Sequence, residues 1–263
     1  MSEDIPSVTL AVDNGLATIT LARPDKGNAL GYDNARALRD VALACDENPE
    51  VRAVLLKADG KNFCVGGDLG TFVKSDNLPL AVKELTIEFH AALSKLARMR
   101  APLVVAVQGA AAGAGVALAA LGDIVIAARA SHYTIAYTGI GFSPDGGTTY
   151  TLPRLIGLRR FQELALTNRR IDAAEAASIG LVTRVVDDEQ LPAEAEATAR
   201  RLAEGPTQAF GAIRQLLLGT FNAGFEGHLE QEARYLSDAC RSADVKEGIA
   251  AVLARRKPAF QGR

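Results

Sequence analysis

Two glycine-rich segments could bind an oxygen atom through their backbone N–H groups. Val65-Gly66-Gly67-Asp68 follows a predicted strand over residues 51–56, and Gly113-Ala114-Gly115 follows a predicted strand over residues 103–107. Glycine lets the backbone approach a ligand closely, and the free N–H groups at a helix start carry partial positive charge. One N–H group from each segment could converge on one oxygen and form an oxyanion hole, in which one donor typically lowers a barrier by roughly 3–4 kcal/mol.

Packing or dinucleotide binding could also account for these two segments. Glycine-rich turns often serve packing alone, and packing is sufficient to explain either segment taken by itself. A dinucleotide-binding fingerprint fails on two points. Leu118 occupies the position where a third small residue is needed, and no acidic residue ends the next predicted strand, 123–128, in the expected place.

The composition excludes several classes of protein. The 263 residues are 48% hydrophobic and carry a net charge of −2, which is not the composition of a disordered chain. A charge so close to zero gives no general basic field, so we expect no nucleic-acid partner. The length suits one large domain, or a domain with an appendage, and is ample for a buried core.

The sequence also predicts a cytoplasmic protein. Cys45, Cys64 and Cys240 are scattered, which is typical of a reducing compartment, and no pair has the spacing of metal ligands. The acidic N-terminus, Met1–Pro6, lacks the apolar stretch of a secretory signal. The longest apolar stretch, Leu103–Leu121, is interrupted by glycines and a glutamine, so we expect no membrane span and no metal site.

The order of the predicted elements indicates an α/β domain followed by a helical region. The predicted strands are 8–12, 16–21, 51–56, 103–107, 123–128 and 181–186, and the first two are joined by a turn at Asn14-Gly15. The predicted helices are 32–47, 80–99, two or three short helices within 152–179, and then 191–203, 207–218, 225–241 and 245–254. Gly205-Pro206 marks the predicted boundary between an α/β core, 1–204, and a helical C-terminal region, 205–263.

An ordered set of motifs resembles the enoyl-CoA hydratase/isomerase (crotonase) superfamily over nearly the whole chain, from Val8 to Arg263. Each motif alone is weakly specific, but the ordered set is highly specific. The motifs are Arg23-Pro24 with Asn28-Ala29-Leu30, Phe63 to Asp68, Pro102 with Val104 to Gly109, Gly122-Asp123, Gly146-Gly147-Thr148, Leu152-Pro153-Arg154, Ala173 to Ala176 with Gly180-Leu181-Val182, and Arg256-Lys257-Pro258.

This resemblance implies a spiral of ββα units with C-terminal helices used in trimerisation, as a homotrimer or a dimer of trimers. It implies an acyl-CoA thioester substrate, and no separate cofactor, because coenzyme A is part of the substrate. It places the oxyanion-hole N–H groups at Gly67 and Ala114. The second of these positions is usually glycine in the family, so the methyl group of Ala114 leaves the shape of the acyl pocket open.

The resemblance also implies contacts with coenzyme A. Lys26 is a candidate for a phosphate contact, and the backbone of Ala29, Val65, Asp68 and Leu69 is expected to surround the adenine. Lys257 and Phe260 are further candidates, from the same chain or from a neighbouring subunit. Each lysine is explained equally well as a solvated surface charge.

The acid/base groups of the resembled family decide which reaction is expected. Its hydratases carry two glutamates, whose positions fall on Ala117 and Tyr137 in this sequence, so ordinary hydratase activity is not expected. Asp145, in a Pro-Asp-Gly-Gly sequence, resembles the single acid/base of enoyl-CoA isomerases. We therefore expect an isomerase that converts 3-enoyl-CoA to 2-enoyl-CoA. Taken without the resemblance, Asp145 is also explained as an ordinary turn residue.

Other reactions on the same scaffold stay open. Haloaromatic acyl-CoA dehalogenases of this superfamily use an Asp at the position of Asp145 as a nucleophile, with a His and an aromatic residue at the positions of His90 and Tyr137. Their aromatic residue is a Trp, and this chain has none. An acyl-CoA hydrolase, a hydratase-like protein with little hydratase activity, and a non-catalytic CoA-binding protein are the remaining alternatives. We interpret His90 as a packing residue or one that supports the site indirectly.

Overall fold

A computed structural model describes residues 6–263. Met1–Ile5, and with them most of the acidic N-terminus, lie outside the described residues, so the expected lack of a secretory signal stays a prediction. The described chain begins with the predicted hairpin. Asn14 and Gly15 both have positive φ, 47° and 81°, which is the backbone conformation of the tight turns that join antiparallel strands.

The chain forms nine strands and eleven α-helices within the described residues. The strands are β1 (Val8–Asp13), β2 (Leu16–Leu21), β3 (Ala53–Ala58), β4 (Leu103–Val107), β5 (Ala110–Ala112), β6 (Ile124–Ala128), β7 (His132–Thr134), β8 (Ile171–Asp172) and β9 (Arg184–Val186). The helices are α1 (Tyr32–Glu47), α2 (Leu69–Val73), α3 (Leu78–Arg98), α4 (Ala114–Ala120), α5 (Thr148–Ile156), α6 (Leu158–Thr167), α7 (Ala173–Ser178), α8 (Leu191–Ala203), α9 (Thr207–Gly219), α10 (Phe225–Ala239) and α11 (Ala243–Leu253).

The strands form two sheets. The larger sheet has the order β1-β2-β3-β4-β6-β9, and all of its pairs are parallel except the β1–β2 hairpin. The smaller sheet has the order β5-β7-β8. Strand β4 of the larger sheet leads directly into β5 of the smaller sheet and then into α4, and β6 leads in the same way into β7. These repeats confirm the expected α/β fold of ββα units, with the helical C-terminal region after it.

Strong patterns in the sequence predict the longer elements well. Helix α1 has the predicted bounds, because its apolar stripe repeats at helical spacing over four turns. Helix α3 begins two residues earlier than expected, because the side chain of Asn77 accepts a hydrogen bond from the N–H of Leu80 and Pro79 fits the first turn. The short elements β5, β7, β8 and α2 were not predicted, since they are too short for any periodicity to show.

Arg214 attaches the C-terminal region to the core. This α9 side chain is 6% exposed and forms an ion pair with Asp123 at 2.8 Å. It also donates hydrogen bonds to the carbonyl oxygens of Leu96 (2.7 Å), Ala101 (2.9 Å) and Met99, where α3 ends. Arg214 thus satisfies carbonyl groups that the end of a helix leaves unpaired. The boundary at residues 204 and 205 stays a prediction.

Within residues 6–263, no helix combines the length and the apolar character needed to cross a membrane.

Replacing Arg214 by Met should lower the free energy of unfolding by about 3 kcal/mol, because several buried acceptors lose a charged donor. Urea denaturation followed by circular dichroism measures this change. Arg241→Met is the matched control, since Arg241 is exposed and lies 3.8 Å from Asp238. Equal midpoints for the two variants would contradict the anchoring role of Arg214.

Candidate active site

The two glycine-rich segments lie side by side. The N–H of Cys64 donates to the carbonyl oxygen of Ala110 at 3.1 Å, and the N–H of Ala112 donates to the carbonyl oxygen of Cys64 at 2.9 Å. A Cβ atom added at Gly115 would lie only 2.1 Å from that Cys64 oxygen. Only glycine at this position lets the start of α4 approach the first segment so closely.

Each segment presents a free N–H group. Within residues 6–263, neither Gly67 nor Ala114 donates its N–H to an acceptor in the chain. Ala114 is the first residue of α4, where an N–H group has no partner inside the helix. Gly66 and Gly113, which precede them, have φ of 101° and 52°, so both turns need glycine. Gly67 and Ala114 line the same cavity.

This cavity has a volume of about 750 Å³ and mostly apolar walls. Helices α2 and α3 form one side of it, and the loop before Asp145 forms another. Its large apolar side chains are Leu30, Val65, Leu69, Phe72, Leu78, Val82, Leu85, Phe89, Ile140 and Phe142. The segment from Phe72 to Pro79 contributes both of its end residues and Leu78 to the cavity wall. A cavity of this size and composition suits an apolar group attached to a larger ligand.

Asp145 reaches the cavity wall on a loop that depends on small neighbours. Gly146 and Gly147 have φ of 61° and 75°, which turns the chain sharply into α5. A Cβ atom added at Gly146 would lie 2.7 Å from the Cβ of Ala117. The small residues at positions 117 and 146 therefore let the loop come close to α4. The N–H and the hydroxyl of Thr148 both donate to the backbone oxygen of Asp145, at 3.1 and 2.9 Å.

Two side chains contact the carboxylate of Asp145. The hydroxyl of Tyr137 donates to its Oδ1 at 2.5 Å, and Nε2 of His90 lies 3.5 Å from its Oδ2. The N–H of Gly146 donates to the same His90 nitrogen at 3.2 Å. His90 is therefore in direct contact with Asp145. The sequence indicates a packing or supporting residue at His90 and does not identify this contact.

Burial raises the pKa of Tyr137 far above its ordinary value, and the negative charge of Asp145 raises it further. The hydroxyl therefore keeps its proton and acts as a hydrogen-bond donor. Burial also raises the pKa of the Cys64 thiol to about 12. That thiol stays protonated at neutral pH and is a poor nucleophile, although it lies next to the candidate oxyanion hole.

The first set of predicted coenzyme A contacts lies at one edge of the cavity. Val65 and Leu69 line it. The loop that carries Lys26 and Ala29 contacts Val65, whose N–H donates to the carbonyl oxygen of Gly27 at 3.1 Å. The carboxylate of Asp68 accepts a hydrogen bond from the N–H of Gly70 at 3.1 Å and caps α2. Their contacts with coenzyme A stay predictions.

The C-terminal candidates for coenzyme A contacts, Lys257 and Phe260, lie away from the cavity. Lys257 forms an ion pair with Glu204 at 3.0 Å, and the carbonyl oxygen of Phe260 accepts a hydrogen bond from Arg52 at 3.0 Å. Neither residue lines the cavity, so a contact from a neighbouring subunit stays a prediction. Lys83 of α3 does line the cavity and was not predicted. Its helical spacing from Pro79 and Thr86, which also line the cavity, is the signal that could have identified it.

Within the part of the chain that the structure describes, no group of three or more His, Cys, Asp and Glu side chains could hold a metal ion.

Comparisons with known proteins agree on one family. The sequence profile of the enoyl-CoA hydratase/isomerase family matches residues 11–263. The chain is 36% identical to the 1,2-epoxyphenylacetyl-CoA isomerase of Escherichia coli K12, covering 96% of this chain and 97% of that protein. It is 37% identical to a protein named probable enoyl-CoA hydratase in Rhodobacter capsulatus, covering 98% of each.

A solved structure gives the same result. The crystal structure of a protein assigned as an enoyl-CoA hydratase/isomerase in Mycobacterium abscessus superposes with a TM-score of 0.94. It is 39% identical in sequence, and the superposition covers 97% of this chain and all of that one.

Gly115→Ala should destabilise the chain and disrupt the oxyanion-hole geometry, because the added methyl group collides with the backbone oxygen of Cys64. Overpacking of this kind costs about 1–3 kcal/mol or more. Gly227→Ala is the matched control, since a Cβ there meets nothing within 4 Å and α10 favours alanine. Thermal unfolding of both variants tests this prediction, and a Gly115→Ala variant as stable as the wild type would contradict it.

Proposed function

We propose that this chain, which belongs to the enoyl-CoA hydratase/isomerase (crotonase) family, moves the double bond of an enoyl-CoA thioester from position 3 to position 2. One observation carries the proposal. Of the carboxylates in residues 6–263, Asp145 is the only one that lines the cavity, and the unpaired N–H groups of Gly67 and Ala114 lie on the wall of the same cavity.

The proposed reaction needs one acid/base and one oxyanion hole. The thioester carbonyl oxygen accepts hydrogen bonds from the N–H groups of Gly67 and Ala114, which acidifies the protons on C2. The carboxylate of Asp145 removes one of these protons, and the electron pair spreads into a dienolate. The protonated Asp145 then delivers the proton to C4, which leaves a double bond between C2 and C3. The carboxylate is regenerated and no further cofactor is consumed.

The same geometry argues against efficient hydration. Adding water needs a base for the water and an acid for the α-carbon. Ala117 has no such group, and Tyr137 keeps its proton and donates it to Asp145 in a hydrogen bond. A single carboxylate is sufficient for isomerisation, because the proton only moves from one carbon to another. One relative is named as an isomerase of an acyl-CoA, which supports isomerisation as the class of reaction, although its named substrate is an epoxide.

The walls of the cavity support an apolar acyl group. Phe72 stands beside Gly67, since a Cβ atom added at Gly67 would lie 3.3 Å from its ring. The rings of Phe72 and Phe142 lie 6.2 Å apart and are tilted by 57°. An acyl chain whose carbonyl oxygen is bound at Gly67 would therefore run past an aromatic wall. Lys83 on the cavity wall and Lys26 in the adjoining loop are the proposed partners of the anionic coenzyme A.

The contact between His90 and Asp145 favours a second candidate, a dehalogenase or hydrolase of acyl-CoA substrates. In this reaction Asp145 attacks the substrate as a nucleophile and displaces chloride or the coenzyme A thiolate. His90 then takes a proton from the water that hydrolyses the covalent intermediate. The arrangement of Tyr137 supports isomerisation instead, since its hydroxyl occupies one of the two carboxylate oxygens that such an attack would use. We further propose a cytoplasmic location, on the strength of the three free cysteines.

The ultraviolet absorbance of a conjugated 2-enoyl thioester tests the proposal directly. Wild-type protein supplied with 3-enoyl-CoAs of several chain lengths should form this product, and Asp145→Asn should be at least about 100-fold slower. Binding of a saturated acyl-CoA should be retained, because Asp145→Asn leaves the oxyanion-hole N–H groups in place. Asp238→Asn, at an exposed site on α10, is the matched control.

No conjugated product from the wild type, or full activity of Asp145→Asn, would overturn the isomerase. Release of chloride from chlorobenzoyl-CoA in place of isomerisation would establish the second candidate.

The C-terminal helices support self-association, and we propose a homotrimer or a dimer of trimers. Exposed apolar side chains cover α9, α10, α11 and the turn between α9 and α10: Ile213, Leu217, Phe221, Phe225, Leu236, Ile249, Val252 and Leu253. Exposed apolar patches of this kind mark interfaces. Sedimentation equilibrium should give a mass of three or six chains, and a monomer at micromolar concentration would contradict the proposal.

A further inference from the structure

We infer that Tyr137 is a positioning residue for Asp145, whose hydroxyl holds Oδ1 so that Oδ2 alone exchanges the proton with the substrate. This inference rests on the proposed isomerase function and specifies how its single carboxylate is set up.

The backbone before Tyr137 is in a conformation that a non-glycine residue rarely adopts. Ala136, which lines the cavity, has φ of 66°, in the left-handed region. Such residues persist where the surrounding structure holds them, and they cluster at functional sites. The carbonyl oxygen of Tyr137 accepts the N–H groups of Ile140 and Phe142, at 3.1 and 3.0 Å. The strained residue and these hydrogen bonds fix the direction of the Tyr137 side chain.

The ring of Tyr137 also connects the carboxylate to the oxyanion hole. Its Cζ lies 3.7 Å from the place where a Cβ of Gly113 would be, in the turn just before Ala114. Its hydroxyl lies 2.5 Å from Oδ1 of Asp145. One rigid aromatic ring therefore sets the position of the base relative to the turn that binds the substrate oxygen.

The two carboxylate oxygens are consequently not equivalent. Oδ1 accepts from Tyr137, whereas Oδ2 faces Nε2 of His90 at 3.5 Å. That nitrogen accepts the N–H of Gly146, so it offers no proton to Oδ2 in this arrangement. Oδ2 is thus the oxygen that is available to take a proton from C2 and return it at C4. Because one oxygen acts at both carbons, the proton must leave C2 and reach C4 on the same face of the substrate.

The hydrogen bond has an electrostatic consequence as well. Apolar walls favour the uncharged form of a carboxyl group, which cannot act as a base. A donor to the charged form works in the opposite direction. The titratable groups facing the carboxylate are Tyr137 itself and His90 from α3, with Lys83 of the same helix further along the cavity wall. The hydroxyl of Tyr137 is such a donor, and Oδ1 of Asp145 is its acceptor.

Tyr137→Phe tests this role, because it removes the hydroxyl and keeps the ring. The acidic limb of the pH profile of kcat/KM should move to higher pH by about one to two units, as expected for loss of a hydrogen bond to a charged group. Tyr133→Phe is the matched control. Tyr133 is 2% exposed and its hydroxyl contacts Ser131 instead of Asp145, so this variant should keep the wild-type limb.

Two further measurements keep the test decisive. Carbon-13 NMR of the Asp145 carboxyl group in the ligand-free protein should show the same shift of its titration, without any substrate. If Tyr137→Phe does not fold, replacing the tyrosines by the more acidic 3-fluorotyrosine should move the titration to lower pH. An unchanged limb and titration would overturn the inference. A shifted NMR titration in a protein without isomerase activity would support the role of Tyr137 and overturn the proposed function alone.

Discussion

The site depends on how closely two stretches of backbone approach each other. The carbonyl oxygen of Cys64 lies where a side chain at position 115 would begin, and the carbonyl oxygen of Lys61 lies just as close, 2.1 Å, to the place of a Cβ at Gly109. Only glycine permits both approaches. The backbone hydrogen bonds of Cys64 hold the two segments in register. Further along each segment, the N–H groups of Gly67 and Ala114 have no acceptors in the described chain. Unpaired donors at a partly enclosed surface favour a ligand oxygen that restores the lost hydrogen bonds.

Different elements of the fold supply the different parts of the cavity. The glycine turns supply unpaired N–H groups, helices α2 and α3 supply apolar walls, and a glycine-rich loop presents the carboxylate of Asp145. The contact of Ala117 with Gly146 shows that small size is required on both sides of this junction. Ala117 stands at the position of one hydratase glutamate in the motif pattern of the family. The same residue is small enough to let the Asp145 loop approach α4. In the proposed mechanism, the absence of one acid/base and the placement of another therefore both involve this packing contact.

Local patterns in the sequence predict part of this arrangement. Helix α1 and strand β4 have the expected bounds, since amphipathic or continuous apolar runs specify them. The turns at Gly67 and Ala114 were identified from glycines after strands. By contrast, the hydrogen bond between Tyr137 and Asp145 depends on φ of 66° at Ala136, which no propensity predicts for alanine. The exposed ion pair between Lys257 and Glu204 joins residues 53 positions apart, which spacing along the chain does not encode.

The proposed mechanism depends most on the N–H groups of Gly67 and Ala114 converging on a thioester oxygen. Infrared difference spectroscopy of an unreactive saturated acyl-CoA, labelled with carbon-13 at its carbonyl, measures the resulting polarisation directly. We predict that the carbonyl stretch moves to lower frequency when the ligand binds, relative to the ligand in water. A bound ligand whose carbonyl stretch stays at its value in water, or moves to higher frequency, would contradict this convergence.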